Sequence, residues 1–238
     1  MLDKINLGKV LFLDIETVPQ VYDHSELDEA TQYLWAKKNS YLLRDGGDPA
    51  EIYDRAGILA EFGKIICISV GIVTNKENAH AVRTKSFYSD SEKELLNDFA
   101  QLLTAHYSSF ECLLCAHNGK EFDFPYICRR MLINGIKIPD ILNIAGKKPW
   151  EIKHLDTMEL WKFGDYKNYT SLELLTHVFG IPTPKDDIDG SQVARIYYEE
   201  KDLERIVAYC EKDVVATVQL MLRYLGKPLI GSDHIEHA

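Results

Sequence analysis

The stretch Lys9-Val10-Leu11-Phe12-Leu13-Asp14-Ile15-Glu16-Thr17 decides how this chain reads. Within it residues 9–15, apolar and bounded by Gly8 before and Pro19 after, read as a buried strand. The run closes on two acids, Asp14 and Glu16, spaced i and i+2. In a strand that spacing sends both carboxylates to one face. Two like charges at the end of a buried strand are costly, and a divalent cation is their natural compensation. The alternative for this pair alone is a strand that has run out into solvent.

Outward from the strand, a polar stretch of about residues 22–63 carries helical patterning over 25–38 and 49–61, split by Gly46-Gly47-Asp48-Pro49. Strands are predicted over 64–73 and 80–88, joined by a turn at Thr74-Asn75-Lys76-Glu77-Asn78. An amphipathic helix is predicted over 91–107, with Asp90 or Ser91 as cap and Glu94 placed for a capping box with Ser91. A buried strand over 111–116 leads through a Gly119 loop to a helix over 124–134, stopped at Gly135. A short strand over 152–155 enters a helix at Asp156, which reads as its N-cap. Helices over 171–179 and 202–225 end at Gly180 and Gly226, with Pro182 and Pro228 beyond. This order predicts one α/β domain over residues 1–238, a mixed sheet flanked by helices. The 22–63 insert reads as a lid, a dimer contact or decoration.

Two further features stand out. Asp123 appears where the loop turns into a helix, followed by Phe124-Pro125-Tyr126. Alone it fits a helix N-cap as well as a functional acid. Tyr209 and Asp213 sit i, i+4 among Ile206, Val207, Val214, Val215, Val218 and Leu220, so a phenol and a carboxylate converge on one face of an apolar helix. A satisfied structural aspartate also accounts for that position.

Taken together, Asp14-x-Glu16, Asn118-x-x-x-Phe122-Asp123 and Tyr209-x-x-x-Asp213 resemble the three exonuclease motifs of the DEDD superfamily in its tyrosine-bearing (DEDDy) branch. The wording around them looks most like the proofreading exonuclease domain of B-family DNA polymerases. The resemblance runs over about residues 9–225, least well over 22–63 and 143–151. It implies a ribonuclease H-like fold and a stand-alone 3′→5′ exonuclease acting on the 3′ end of single-stranded nucleic acid, DNA favoured and RNA possible. It implies two divalent ions, Mg²⁺ or Mn²⁺, which supply the attacking hydroxide and stabilise the leaving oxygen. By position Asp14 would bridge both ions, Glu16 and Asp213 would hold the ion carrying the water, and Asp123 the other. Tyr209 would orient the water, while Thr17, Asn118 and Phe122 would line the terminal nucleotide. A histidine-using variant would need His at or beside position 209, where Ala208 and Cys210 flank the tyrosine. The competing reading is a catalytically silent nucleic-acid-binding domain of the same fold.

Composition agrees with a globular protein: 238 residues, 46% hydrophobic and 27% charged, with a formal net charge of −10. That balance argues against a broad basic face for duplex nucleic acid, yet suits a grip on a few stacked bases. Arg129-Arg130, Lys147-Lys148 and the Lys162–Lys167 segment read as solvated faces. His117, His154 and His177 show no metal-ligand spacing and read as structural, and Trp35, Trp150 and Trp161 as core or interface residues. Five cysteines are expected reduced, including the Cys112-x-x-Cys115 pair in its apolar run. No signal or membrane-spanning segment is visible, so a cytoplasmic location is expected, with protein partners unspecified.

Overall fold

The computed structural model describes residues 2–43, 46–77, 79–165, 169–182 and 188–238. Asn78 of the expected turn, Lys167 of the last basic segment and parts of the insert lie outside the described residues. The quoted stretch forms β1 (Val10–Pro19), central in a six-stranded sheet. β2 (Gly63–Lys76) and β3 (Ala79–Tyr88) follow antiparallel on one side. On the other, β4 (Leu113–Ala116) and β5 (Leu155–Asp156) run parallel to β1. β6 (Ile235–His237) adds to the far edge, giving the order β5-β4-β1-β2-β3-β6. The result is a mixed α/β sheet consistent with the ribonuclease H-like fold.

Strand alternation divides the core. Leu11, Leu13 and Ile15 face α2 (Glu92–His106) and α3 (Asp123–Ile133), packing with Leu96, Phe99, Phe124 and Ile127. Val10 and Phe12 face α7 (Leu203–Tyr224), packing with Val214, Val218 and Met221. Asp14 and Glu16 continue that second face. α7 approaches closely because Gly71 has no side chain: a Cβ there would stand 2.7 Å from Val214 Cγ1.

The β1–β2 register slips between Glu16 and Thr17: Glu16 pairs with Cys67 but Thr17 with Ile65, leaving Ile66 as an extra residue. Such a bulge resets the alternation. Ile66 therefore packs with Val18 and Ile206 on the α7 side, where Cys67 also points, hydrogen-bonded to Cys210.

Within the insert, Asp28 caps α1 (Glu29–Lys38), and Pro49–Ile58 winds as 3₁₀ rather than the expected α-helix. The i+3 spacing of Tyr53 and Ala56 stacks both against fully buried Trp35, as the tighter winding requires. Three further helices, α4 (Thr157–Lys162), α5 (Leu172–Val178) and the short α6 (Val193–Arg195), complete the chain. α6 runs into a π-helical turn, Ile196–Glu200, which the sequence pattern did not announce, nor did it announce β6. Trp35 and Trp161 are packed, but Trp150 is 78% exposed. Among the described residues no helix is long and apolar enough to cross a membrane.

Arg130 departs from its expected solvated face. It is buried at the end of α3, donating Nε to Glu92 Oε1 at 2.8 Å and Nη1 to the Ala60 carbonyl at 2.8 Å. Glu92 also accepts from the Ile65 N–H at 2.7 Å and Asn134 Nδ2 at 2.9 Å, so one carboxylate ties α2, α3 and β2 together. Removing it strands a buried guanidinium. Glu92→Ala is therefore expected to cost about 3–5 kcal/mol in urea unfolding, well beyond a surface ion pair.

Candidate active site

The site forms where β1 outruns its parallel neighbour. β1 pairs with β4 only as far as Phe12 with Cys115, so beyond that point the β4 side of β1 has no strand partner. The freed Ile15 N–H instead donates to the carboxylate of Asp123. The expected N-cap role of Asp123 is absent: α3 begins at Asp123 itself, and its carboxylate reaches β1.

The loop delivering Asp123 is fixed by Asp156. Its Oδ1 accepts the N–H groups of Asn118 (3.0 Å), Met158 (2.9 Å) and Glu159 (3.2 Å), and Oδ2 accepts that of Lys120 (3.1 Å). Asp156 is thus the N-cap of α4, as expected, and also the clamp of the Asp123 loop. His117 adds a second tie, with Nε2–H donating to the Thr170 carbonyl at 2.9 Å and Nδ1 accepting from the Thr157 hydroxyl at 2.8 Å. His154 bridges the Leu114 N–H and the Ile141 carbonyl, and burial pushes it down to about 4. Both histidines hold backbone, as the sequence suggested.

From the other side α7 presents Tyr209, Cys210 and Asp213 to β1. The Tyr209 hydroxyl hydrogen-bonds the Asp213 carboxylate, and Cys210 Sγ donates to Asp14 Oδ2 at 3.3 Å. The electrostatic couplings bring the expected group together. Burial, then Asp123, Glu16 and Asp213, raise Asp14 well above the ordinary carboxylate range. Burial, then Asp213, Cys67 and Asp123, do the same for Glu16. Burial pushes Asp123 up to about 7, with Asp156 adding to it. Burial and the neighbouring carboxylates also raise Tyr209, which stays a neutral phenol.

The remaining expected residues divide. Asn118 turns the loop in the left-handed region (φ 65°), and its Oδ1 is buried. Phe122 is half-buried against the core, its ring 5.3 Å from that of Tyr126. Thr17 lies on the sheet face opposite Asp14 and Glu16. Its hydroxyl hydrogen-bonds that of Tyr126, which in turn donates to the Gly57 carbonyl at 2.7 Å. Sequence reasoning passed over Cys67 and Cys210 as ligand neighbours. The position of Cys210 inside Tyr209-x-x-x-Asp213 was the available signal.

Asn118 Oδ1 and Asp123 Oδ1 are the two buried side-chain oxygens without a hydrogen-bond donor among the described residues. Ligand atoms of Asp14, Glu16 and Cys210 lie within 4.8 Å of one another. The unsatisfied Asp123 oxygen beside clustered, desolvated carboxylates fits a cation.

Two outcomes follow from this geometry. Asp156→Ala should cost about 2 kcal/mol and speed hydrogen exchange at the Asn118 and Lys120 amides, while leaving amides of α2 unchanged. Asp123 has a folded value of about 7 against an ordinary 3.8, so its contribution to stability is fully present below 3.8 and is lost as pH rises through 7. Chelator-treated protein should therefore melt at falling temperature across that window, and Asp123→Asn should flatten the slope.

Comparison with known proteins places the chain. The model of a family described as "predicted 3'-5' exonuclease related to the exonuclease domain of PolB" matches residues 58–227. Curated relatives include a DNA polymerase of Desulfurococcus sp. (strain Tok), 25% identical over 91% of this chain and 31% of its own length. A DNA polymerase of Pyrococcus glycovorans is 23% identical over 94% of this chain and 34% of its own length. DNA polymerase 1 of Pyrococcus abyssi is 24% identical over 88% and 32%. The chain spans about a third of the length of these relatives. Because the family match covers well over half of the chain, this protein belongs to that family of domains related to the PolB exonuclease.

Proposed function

We propose that this protein is a divalent-metal-dependent 3′→5′ exonuclease that removes nucleotides from the 3′ end of single-stranded nucleic acid, DNA in preference to RNA. The observation that carries the reading is the convergence of Asp14, Glu16, Asp123 and Asp213 from a strand end, a loop and a helix, with an orphaned Asp123 oxygen among them. A family related to polymerase exonuclease domains supports it.

In this reading Asp14, Glu16, Asp123 and Asp213 hold two magnesium or manganese ions, hard cations that suit an oxygen donor set. Such ions supply an activated water and stabilise charge on the leaving 3′-oxygen. The protein's own part is orientation. Tyr209, a neutral phenol tethered to Asp213, would direct the attacking water, a positioning role rather than proton abstraction. Asn118 and Phe122 would line the terminal nucleotide by analogy with the family pattern, Asn118 once its buried Oδ1 is uncovered. Thr17 acts from behind, through the Tyr126 hydroxyl. Residues 1–238 act as one domain, with the insert fixed to α3 through Gly57 and Tyr126. Five free cysteines suit a cytoplasmic setting.

The test is incubation of 5′-labelled single-stranded DNA and RNA oligonucleotides with Mg²⁺, Mn²⁺ or EDTA. A metal-dependent ladder shortening from the 3′ end is expected, faster on DNA and absent in an Asp14→Ala/Asp213→Ala variant. Degradation of neither strand with either metal would overturn the assignment in favour of a silent binding domain. Tyr209→Phe is expected to lower kcat up to about 10²-fold with KM little changed, as for a misplaced reacting group.

A further inference from the structure

The hydrolysis proposed above uses carboxylates and a phenol, yet two thiols sit against them. Cys210 is fully buried on α7, and its Sγ lies 3.3 Å from Asp14 Oδ2 and 3.5 Å from the Asp14 carbonyl oxygen. Cys67, also fully buried, stands opposite Glu16 across the bulge and hydrogen-bonds Cys210. One ligand atom each from Asp14, Glu16 and Cys210 falls within a 4.8 Å cluster. Beside it is the carboxylate of Asp123, 3% exposed, with one oxygen lacking any donor and its charge acting on Asp14.

This donor set is mixed. Carboxylate oxygens alone favour magnesium or manganese, but a thiolate is a soft ligand that selects zinc and similar cations. A tetrahedral zinc centre has Zn–S bonds of about 2.3 Å and Zn–O bonds of about 2.0–2.2 Å, which puts ligand atoms roughly 3.6 Å apart. The cluster needs to draw in by about 1 Å to meet that, within the reach of side-chain rotation.

We propose that Asp14, Glu16 and Cys210 form a binding site for a thiophilic divalent cation, zinc or cobalt, overlapping the place where the acidic residues would hold hard cations. On binding, Cys210 releases its thiol proton to solvent and its sulfur lone pair forms the bond to the cation; no electrons are transferred. Cys67 donates its S–H to the Cys210 sulfur and fixes its direction. The inference rests on the exonuclease reading only for its consequence: zinc at this place competes with the activating ions and inhibits hydrolysis.

The test uses the full chain stripped with chelator and titrated with Co²⁺ in magnesium-free buffer. Sulfur-to-cobalt charge-transfer absorption in the near ultraviolet is expected in the wild type and in Cys128→Ser, and is expected to vanish in Cys210→Ser. Zinc affinity by equilibrium dialysis should fall at least about tenfold in Cys210→Ser, comparable to or beyond the loss of a ligand's supporting contact. Circular dichroism checks that the serine variant is folded, and Cys210→Ala, read in the same way, decides the question if it is not. Cobalt bound without that absorption, or absorption unchanged in Cys210→Ser, overturns the proposal. The ladder assay in Mg²⁺ is scored separately: charge transfer without hydrolysis leaves the thiophilic site standing and removes only the exonuclease reading. Hydrolysis without charge transfer removes the site alone.

Discussion

The centre of this fold is organised around one electrostatic constraint: several carboxylates are held together at the end of a strand covered on both faces. Asp14 and Glu16 continue the face of β1 that α7 covers, and Asp123 and Asp213 are brought to them from α3 and α7. Burial and mutual repulsion both oppose their ionisation, so the arrangement is unfavourable by itself. Left to relax, the carboxylates would separate or turn to water. The surrounding chain is built so that they cannot.

The restraints are short-range and specific. The early end of β4 leaves Ile15 N–H available for Asp123, and Asp156 fixes the loop that brings Asp123 there with four backbone hydrogen bonds. Gly119 lies in that loop because a Cβ would come 2.4 Å from the Ala116 Cβ and 3.0 Å from Phe124 Cζ. On the far side Gly71 lets α7 settle onto β2, which sets the depth at which Tyr209, Cys210 and Asp213 meet β1. The Glu92–Arg130 network locks α2 and α3 to β2, so the strand end has no slack from beneath.

The insert illustrates how added chain can be joined to such a site without contributing a carboxylate to it. Much of it precedes the family-matched span, which begins at residue 58, and it has a small core of its own around Trp35. Among the described residues it nevertheless meets the site's supports at several points, one of them the Ala60 carbonyl that accepts from Arg130. Tyr126 of α3 donates to the Gly57 carbonyl, and Tyr22 stacks at 5.2 Å on Tyr198, whose hydroxyl donates to the Pro19 carbonyl at 2.6 Å. The insert therefore braces the end of β1 and the π-helical turn that leads into α7.

The sequence by itself determined the elements with strong periodicity and clear borders: β1, the β2–β3 pair, α2, α3 and α7 all lie where their patterns placed them. It also determined which acids to consider, since i, i+2 on a strand and i, i+4 on a helix fix shared faces through local geometry alone. What it could not determine depends on contacts between distant segments. The short strand expected over 152–155 is reduced to the two residues of β5, and the three-residue β6 is too short for a period to show; each exists because a neighbouring strand offers its edge. The 3₁₀ winding of Pro49–Ile58 follows from packing against Trp35, and the burial of Arg130 from its distant partner Glu92. Alternation alone puts Thr17 on the face opposite Glu16, but only the fold brings the Tyr126 hydroxyl to it. Cys210 looks like any core cysteine on an apolar helix. Only tertiary packing set its sulfur against Asp14, because distance between side chains is a property of the folded chain and not of their spacing along it.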